Sequence, residues 1–150
     1  MANLRQIETH LKNKRLNYKV IGLGREVFTV KGVSETGVDV DCIVKTLVVR
    51  TNDGFVALAV RGRDRVDFKK VRRLFGSKSE LAKPEEVQRV IGVPVGAVCP
   101  ILVGVPLYFD RKVMNLKQVN MGSGDLTKGL EMELKDLLNA AGDFRIIDLV

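Results

Sequence analysis

One stretch of the chain decides its fold: it reads CIVKTLVVR over residues 42–50, TNDG over 51–54 and FVALAV over 55–60. The two apolar arms are rich in β-branched residues, which favour strands. The Asp53-Gly54 pair between them readily supplies the positive φ that a tight turn requires. The pattern therefore predicts a β-hairpin.

Lys45 interrupts the first arm of this hairpin. Alternation along a strand places it on the same face as Ile43, Leu47 and Val49. A lysine among such neighbours either extends to solvent or is held in a pocket by an anionic partner. The strand pattern taken alone favours extension to solvent, and both interpretations stay open at this point.

Helices and further strands are predicted on both sides of the hairpin. Cap residues and apolar spacing indicate helices after Asn3, Thr29 and Asp67, at Pro84 and at 136–141. Strand patterns occur at 18–21, 97–103, 106–109, 117–121 and 130–134, with a strand or packed tail at 144–149. Because helices and strands mix without strict alternation, the sequence predicts an α+β fold with a mixed sheet.

Basic residues are concentrated just downstream of the hairpin. Between Arg61 and Lys78 the chain carries a net charge of +6, within a total of +7. Such a segment is typical of a surface that binds a polyanion, and equally of a solvated helix face. The candidate contacts to RNA are Arg61, Arg63, Lys69, Lys70, Arg72 and Arg73.

Length and composition restrict the class of protein. The 150 residues, 45% of them hydrophobic, fit a single domain over 1–150. No apolar run reaches the roughly 20 residues of a membrane span, and the N-terminus lacks a signal-peptide pattern, so a cytoplasmic protein without a membrane partner is expected.

Cys42 and Cys99 lie in apolar stretches and are expected to be buried free thiols. With only one histidine in the chain, neither a metal site nor a cofactor is expected.

The usual catalytic motifs are absent from the sequence. It contains no G-x-x-x-x-G-K-[ST] loop, no G-x-S-x-G elbow and no H-E-x-x-H pair. Any chemistry must therefore use few side chains.

Two glycine-rich segments are candidate ligand-binding loops. Residues 92–100 read GVPVGAVCP, in which two glycines and two prolines fix a definite backbone path and can bring N–H groups close to a ligand. Residues 122–124 read GSG. The first could instead be an ordinary helix-to-strand connection, and the second a plain turn.

These segments, in this order, resemble the YbaK/ProX family, also called the prolyl-tRNA synthetase-associated editing domain. The resemblance includes VKTLV at 44–48, VDFKKV at 66–71 and AKPEEV at 82–87. It continues with GVPVGAVCP, which is similar to the family signature G-x-x-x-G-[GA]-[VI]-[SC]-P, and with the GSG turn and GLEMEL at 129–134. Each motif is weak alone, but the ordered set from about Thr29 to Leu138 is quite specific.

The resemblance implies a curled, barrel-like mixed sheet flanked by helices, and hydrolysis of the ester between an amino acid and the tRNA 3′ adenosine. It implies that Lys45 lines the pocket, while backbone N–H groups of Gly96, Ala97 and Val98 are expected to bind the oxyanion. The remaining substrate-binding candidates are Thr29, Gly92, Pro100, Gly122, Ser123, Gly124 and Glu131. The implied partners are the acceptor end of tRNA and an aminoacyl-tRNA synthetase; oligomeric state is left open.

The chain departs from the family pattern at three positions. Leu23 stands where some members have tyrosine or another polar residue, Ala97 where a second glycine is common, and Cys99 where serine is frequent. Editing in trans of Cys- or Ala-tRNA(Pro) is the expected function, with serine and others left open as the amino acid. A non-catalytic module that holds tRNA or a synthetase is the alternative. A nonspecific RNA-binding domain is disfavoured because only two tyrosines and six phenylalanines are available for base stacking.

Overall fold

The structure, a computed structural model, describes residues 3–150. The helices are α1 (Leu4–Asn13), α2 (Val30–Glu35), α3 (Phe68–Phe75), α4 (Pro84–Val90) and α5 (Leu134–Ala141). The strands are β1 (Lys19–Gly22), β2 (Val44–Thr51), β3 (Gly54–Arg61), β4 (Glu80–Leu81), β5 (Leu107–Asp110), β6 (Gln118–Gly122), β7 (Lys128–Glu133) and β8 (Arg145–Ile147). Short 3₁₀ helices occupy Val40–Cys42 and Arg111–Asn115. The α+β class is therefore confirmed.

The predicted hairpin is present as β2 and β3. The two strands pair antiparallel, with Lys45 opposite Val60 and Thr51 opposite Gly54. In the turn, the Thr51 hydroxyl donates to the Gly54 carbonyl oxygen at 2.7 Å and accepts from the Asp53 N–H at 3.1 Å. The hairpin forms the middle of a five-stranded mixed sheet ordered β4-β2-β3-β5-β8, in which β3–β5 and β5–β8 are parallel.

The expectation of one curled, barrel-like sheet is wrong. The strands form two sheets, and the second is a three-stranded antiparallel sheet ordered β1-β7-β6. Neither sheet closes on itself, and an isolated bridge between Ile43 and Asn120 joins them. Closure fails because β4, the outer neighbour of β2, pairs only with Val49 and Arg50 and leaves the first half of β2 without a partner strand on that side.

Residues 97–103 do not form the strand predicted for them. They are apolar because they are buried: Ala97, Val98, Cys99 and Ile101 are at most 4% exposed. Leu102 has a φ of +58°, which no strand accommodates. An apolar run indicates burial and does not by itself distinguish a strand from a packed loop.

Helix capping explains why α1 and α3 begin where they do. Asn3 Oδ1 accepts from the Gln6 N–H at 2.9 Å while Gln6 Oε1 accepts from the Asn3 N–H at 3.0 Å, which is the predicted capping box. Asp67 caps α3 through the Lys69 N–H at 2.9 Å.

Helix α3 buries Val71 against the second of two hydrophobic cores, on one side of the five-stranded sheet. The larger core fills the other side and the space beneath the second sheet.

The two cysteines differ in environment. Cys99 is buried, as expected, and burial raises the pKa of its thiol to about 12. Cys42 is partly exposed, so the expectation that it is buried is wrong. Both thiols are free.

No helix described within residues 3–150 has the length and apolar character needed to cross a membrane.

Candidate active site

A cavity of about 430 Å³ lies where the two sheets meet. The first half of β2 forms one wall, and the turn between β6 and β7 contributes the opposite wall. Residues 27–31, which lead into α2, and the glycine-rich loop at 95–98 close it on the remaining sides. The cavity exists because part of the outer edge of β2 has no strand partner among the described residues. This part lies between Ile43, which bridges to Asn120, and Val48, whose carbonyl oxygen accepts from the Ala82 N–H at 2.9 Å.

The backbone of Thr46 lies in the middle of this open edge. Along a strand, alternate residues direct their N–H and C=O groups to the same side. Val48 directs its carbonyl group outward to Ala82, so Thr46, two residues earlier, directs its own backbone groups to the same edge. The cavity wall therefore includes main-chain groups that can bind a ligand.

Lys45 lies in the wall of this cavity and is half-buried. It takes part in none of the salt bridges found among residues 3–150. Burial is the main cause that lowers the pKa of its ammonium group; Asp64 opposes this effect and Arg65 adds to it. Of the two interpretations left open by the sequence, the structure favours the pocket. An unpaired, partly desolvated cation in a cavity is a ready binding group for an anion.

Two further polar groups in the cavity wall were not identified from the sequence. Thr46 Oγ1 and Asn120 Nδ2 are buried and have no hydrogen-bond partner among the described residues. Buried polar groups are nearly always hydrogen-bonded, so unpaired ones require an explanation such as a ligand. The available signal was a polar residue at a buried strand position, since Asn120 lies between the core residues Val119 and Met121.

The glycine-rich loop is held in a fixed position against the chain before α2. Gly96 has a φ of +93°, and a Cβ atom added there would lie 2.7 Å from the Phe28 carbonyl oxygen. The Ala97 N–H donates to the Pro94 carbonyl oxygen at 3.0 Å. The N–H groups of Gly96 and Val98 donate to no acceptor within residues 3–150. Of the three residues predicted to supply oxyanion donors, Gly96 and Val98 line the cavity and their N–H groups are unbonded within residues 3–150, whereas Ala97 is 1% exposed and its N–H is already bonded.

The late glycine turn packs directly on this loop. A Cβ atom at Gly122 would collide with the Val98 carbonyl oxygen, and the Gly124 N–H donates to the Ala97 carbonyl oxygen at 2.7 Å. Gly122 lines the cavity. Ser123 is fully buried outside the wall, where its hydroxyl donates to the Lys128 carbonyl oxygen at 2.7 Å. Ser123 and Gly124 thus shape the turn and attach it to the loop.

Of the other predicted substrate contacts, the structure places one in the cavity wall and three outside it. Thr29 lines the cavity and also caps α2, with its hydroxyl oxygen accepting from the Gly32 N–H at 3.0 Å. Gly92 follows α4 and lies outside the wall, and Pro100 lines a different, shallower cavity beside His10. Glu131 lies on β7 opposite Asn120, outside the wall.

The cavity mouth combines cations with exposed apolar side chains. Lys31 and Lys128 line it together with Lys45, and Asp125 is the one acidic residue among the described lining residues. Three lining side chains are exposed although apolar: Phe28 (53%), Leu81 (53%) and Val95 (41%). Such a mouth suits a ligand with an anionic group and a flat apolar part, and a nucleotide has both.

Much of the charge in the basic segment is already paired. Arg61 binds Asp64 at 2.7 Å, Arg63 binds Asp41 at 2.8 Å, and Lys70 binds Asp148 at 3.0 Å. The Arg72 guanidinium donates to the Ser79 carbonyl oxygen at 3.3 Å.

Three of the six predicted RNA contacts remain exposed and without a salt bridge among residues 3–150. These are Lys69, Arg72 and Arg73, all on α3.

Comparisons with known proteins agree with the motif pattern. The chain is 34% identical over 129 residues to a proline–tRNA ligase of Caldicellulosiruptor saccharolyticus, which covers 81% of this chain and 22% of the ligase. The chain thus spans about a fifth of the length of that relative. It is 29% identical over 139 residues to the uncharacterized protein YwhH of Bacillus subtilis, covering 90% of this chain and 88% of YwhH.

A similar solved structure is described as a candidate trans-editing enzyme for prolyl tRNA synthetase. It has a TM-score of 0.82 and 29% identity, and the match covers 97% of this chain and 95% of that one. Residues 26–140 match the family described as the aminoacyl-tRNA editing domain. The match includes Lys45 and both glycine-rich segments, and the chain therefore belongs to the aminoacyl-tRNA editing domain family.

Proposed function

We propose that this protein is a cytoplasmic hydrolase that removes wrongly attached amino acids from tRNA, acting in trans on the ester at the 3′ end. The observation that carries the proposal is Lys45, a half-buried residue without a salt bridge among residues 3–150, in a cavity also lined by Gly96 and Val98, whose N–H groups are unbonded there. A cation beside backbone donors is the arrangement that stabilises an oxyanion.

The chemistry requires no nucleophilic side chain. The acceptor end of the tRNA enters the cavity, and Lys45 binds the terminal phosphate or the ester carbonyl oxygen as a point charge. Water adds to the ester carbonyl carbon, aided by the ribose 2′-hydroxyl as an acceptor of its proton, and the Gly96 and Val98 N–H groups bind the oxyanion that develops. The ester C–O bond to the ribose then breaks, and the ribose oxygen takes up a proton as the amino acid leaves.

Relatives support a tRNA substrate and action in trans. One is named a proline–tRNA ligase, and one solved structure of nearly the same length is described as a candidate trans-editing enzyme for prolyl tRNA synthetase. The proposed substrate is therefore a proline tRNA that carries a small amino acid, with cysteine and alanine as the family's usual candidates. The size of the cavity would select against larger aminoacyl groups. A synthetase is a proposed partner.

The surface that contacts the body of the tRNA is proposed to include Lys69 and Arg73, whose charges are free to bind phosphates. Arg61, Arg63 and Lys70 are paired with carboxylates of the protein itself, so they would contribute less.

One observation favours the non-catalytic alternative, a module that holds tRNA or a synthetase. Within residues 3–150, the cavity wall contains no histidine, cysteine or glutamate. Its one acid, Asp125, already accepts from the Thr127 hydroxyl at 2.7 Å and N–H at 2.8 Å, and these bonds lower its pKa. A general base is thus not evident among the side chains of the wall.

The two functions are distinguished by release of the amino acid. Proline tRNA charged with labelled alanine, cysteine, serine or proline is incubated with the protein, and free amino acid and bound tRNA are both measured. We expect release of at least one small amino acid far above the uncatalysed rate, with the prolyl ester left intact. Tight binding of every charged tRNA without release would establish the non-catalytic alternative instead.

A further inference from the structure

We infer that Asp125 binds the α-ammonium group of the aminoacyl ester in this cavity. The inference deepens the proposed function and rests on it. It assigns a substrate contact to a residue that the sequence motifs did not single out. It also explains how the cavity could distinguish an aminoacyl ester from an ester that lacks the amino group.

The first argument is a carboxylate oxygen that has no partner in the protein. Asp125 Oδ1 accepts from the Thr127 hydroxyl at 2.7 Å and from the Thr127 N–H at 2.8 Å. Within residues 3–150, Oδ2 accepts no hydrogen bond and Asp125 belongs to no salt bridge. Asp125 is partly exposed and lines the cavity, so its second oxygen is available to a ligand there.

The second argument is the fixed position of Asp125. On one side of it, the Gly124 N–H donates to the Ala97 carbonyl oxygen at 2.7 Å. On the other side, the Leu126 carbonyl oxygen accepts from the Val27 N–H at 2.9 Å. The carboxylate thus stands on a backbone attached to two other walls of the cavity, and little freedom is lost when it binds a ligand.

The third argument is the place of Asp125 beside a proposed oxyanion donor. The Ala97 carbonyl group and the Val98 N–H belong to one peptide unit, and Gly124, which binds that unit, directly precedes Asp125. In an aminoacyl ester, a single carbon atom separates the amino nitrogen from the carbonyl carbon. The group that binds the ammonium must therefore lie close to the donors that bind the carbonyl oxygen.

The fourth argument is the distribution of charge across the cavity. Lys45 lies on β2 and Asp125 on the opposite turn, and no salt bridge joins them. A carboxylate repels the phosphates of RNA but attracts an ammonium group, which every aminoacyl ester carries next to its carbonyl. With the phosphate or the carbonyl oxygen at Lys45 and the ammonium at Asp125, the ester is held in one orientation.

Asp125 is suited to binding a cation and not to removing a proton. The two bonds from Thr127 lower the pKa of its carboxyl group, so it is ionised at neutral pH and a weak base. A nearby carboxylate also stabilises the protonated form of an amine. The contact is therefore a charge-assisted hydrogen bond between an ammonium group and a carboxylate.

The test uses one proline tRNA that carries either alanine or lactic acid. The lactyl ester has the same methyl group, with a hydroxyl in place of the ammonium. Asp125→Asn removes the charge and keeps an oxygen that can accept from Thr127. We expect this variant to lower kcat/KM for the alanyl ester about 10- to 100-fold and to leave the lactyl ester within about 3-fold of the wild type. Because each ester is compared between the two proteins, the difference in their intrinsic reactivity cancels.

Glu26→Gln is the matched control. Glu26 is exposed, directly precedes Val27 of the cavity wall, and is not among the described lining residues. Its replacement removes the same charge near the cavity and should change kcat/KM for the two esters by the same factor. Circular dichroism and thermal unfolding report whether both variants fold.

An equal change on both esters in folded Asp125→Asn would overturn the inference while the proposed function stands. The carboxylate would then act on the turn or on the RNA and not on the amino group. If the wild type hydrolyses no charged tRNA, the proposed function fails, and binding of the same two tRNAs tests the inference. The wild type should then bind the alanyl tRNA more tightly than the lactyl tRNA, and Asp125→Asn should lose this preference. Equal binding of both by the wild type would overturn the inference as well.

Discussion

Replacing Lys45 with alanine is expected to lower kcat/KM for deacylation at least about 100-fold without destabilising the fold. The activity falls because the cavity loses the one half-buried cation among its described lining residues, the group proposed to bind the phosphate or the ester oxygen. Stability is retained because, among the described residues, Lys45 has no carboxylate partner, and burial of its ammonium group is unfavourable. The melting temperature should therefore stay the same or rise. Steady-state release of amino acid and thermal unfolding measure the two quantities.

Two further variants test whether the effect depends on the position of the lost charge or on the shape of the cationic group. Lys12→Ala removes the same charge from the exposed side of α1, outside the cavity, and should leave kcat/KM unchanged. Lys45→Arg keeps the charge but replaces a compact ammonium group with a planar fork, so only partial activity is expected. Wild-type activity in Lys45→Ala would remove Lys45 from the mechanism.

Replacing Gly96 with alanine is expected to reduce both stability and activity. The added methyl group would meet the Phe28 carbonyl oxygen at 2.7 Å, and the φ of +93° is one that side chains rarely adopt. Backbone strain and overpacking together should lower the free energy of unfolding by at least about 2 kcal/mol. Because the Gly96 N–H is a proposed oxyanion donor, its displacement should lower kcat about 100-fold. Urea unfolding and single-turnover deacylation give the two values.

Gly104→Ala is the matched control for this variant. Gly104 also has a positive φ, +82°, but an added Cβ atom there meets nothing within 4 Å. This variant therefore carries the backbone strain alone and should remain active. If Gly96→Ala is as stable as Gly104→Ala and equally active, the close packing of the loop on Phe28 has no part in the mechanism.

Local sequence patterns were sufficient for the hairpin and the helix caps; they also singled out Lys45, whose role in the site stays a prediction. The turn at Asp53-Gly54 and the capping box of Asn3 and Gln6 depend on residues a few positions apart, and both form as predicted. Lys45 is conspicuous because it interrupts an apolar strand. Whether it extends to solvent or lines a cavity depends on what lies beside β2, which the strand itself does not specify.

Features that depend on distant contacts were predicted poorly. The open edge of β2 results from a two-residue β4 and from the bridge to Asn120, which is far along the chain from Ile43. The same bridge brings Asn120 into the cavity wall, and the strand pattern at 117–121 signals Asn120 only as a polar residue between apolar ones, without its place in the cavity. Likewise, the sequence offered Arg61 and Arg63 as candidate RNA contacts, but in the fold they form salt bridges with Asp64 and Asp41.

The unpaired groups of the cavity share one physical character. Lys45, Thr46 and Asn120 each place a polar or charged atom where residues 3–150 offer it no salt-bridge or hydrogen-bond partner. Local energetic conflict of this kind is commonly found at functional sites, where a ligand supplies the missing interaction.

The most direct test of the central claim is the pKa of Lys45, measured by NMR with and without a non-hydrolysable 3′-aminoacylamino analogue of the acceptor end. In the free protein, burial should hold this pKa below the usual value for lysine. In the complex, the nearby phosphate should stabilise the ammonium form and raise the pKa again. Activity should correspondingly fall as the pH rises through the pKa of Lys45. A pKa that stays the same in a complex shown by other signals to have formed would contradict the account.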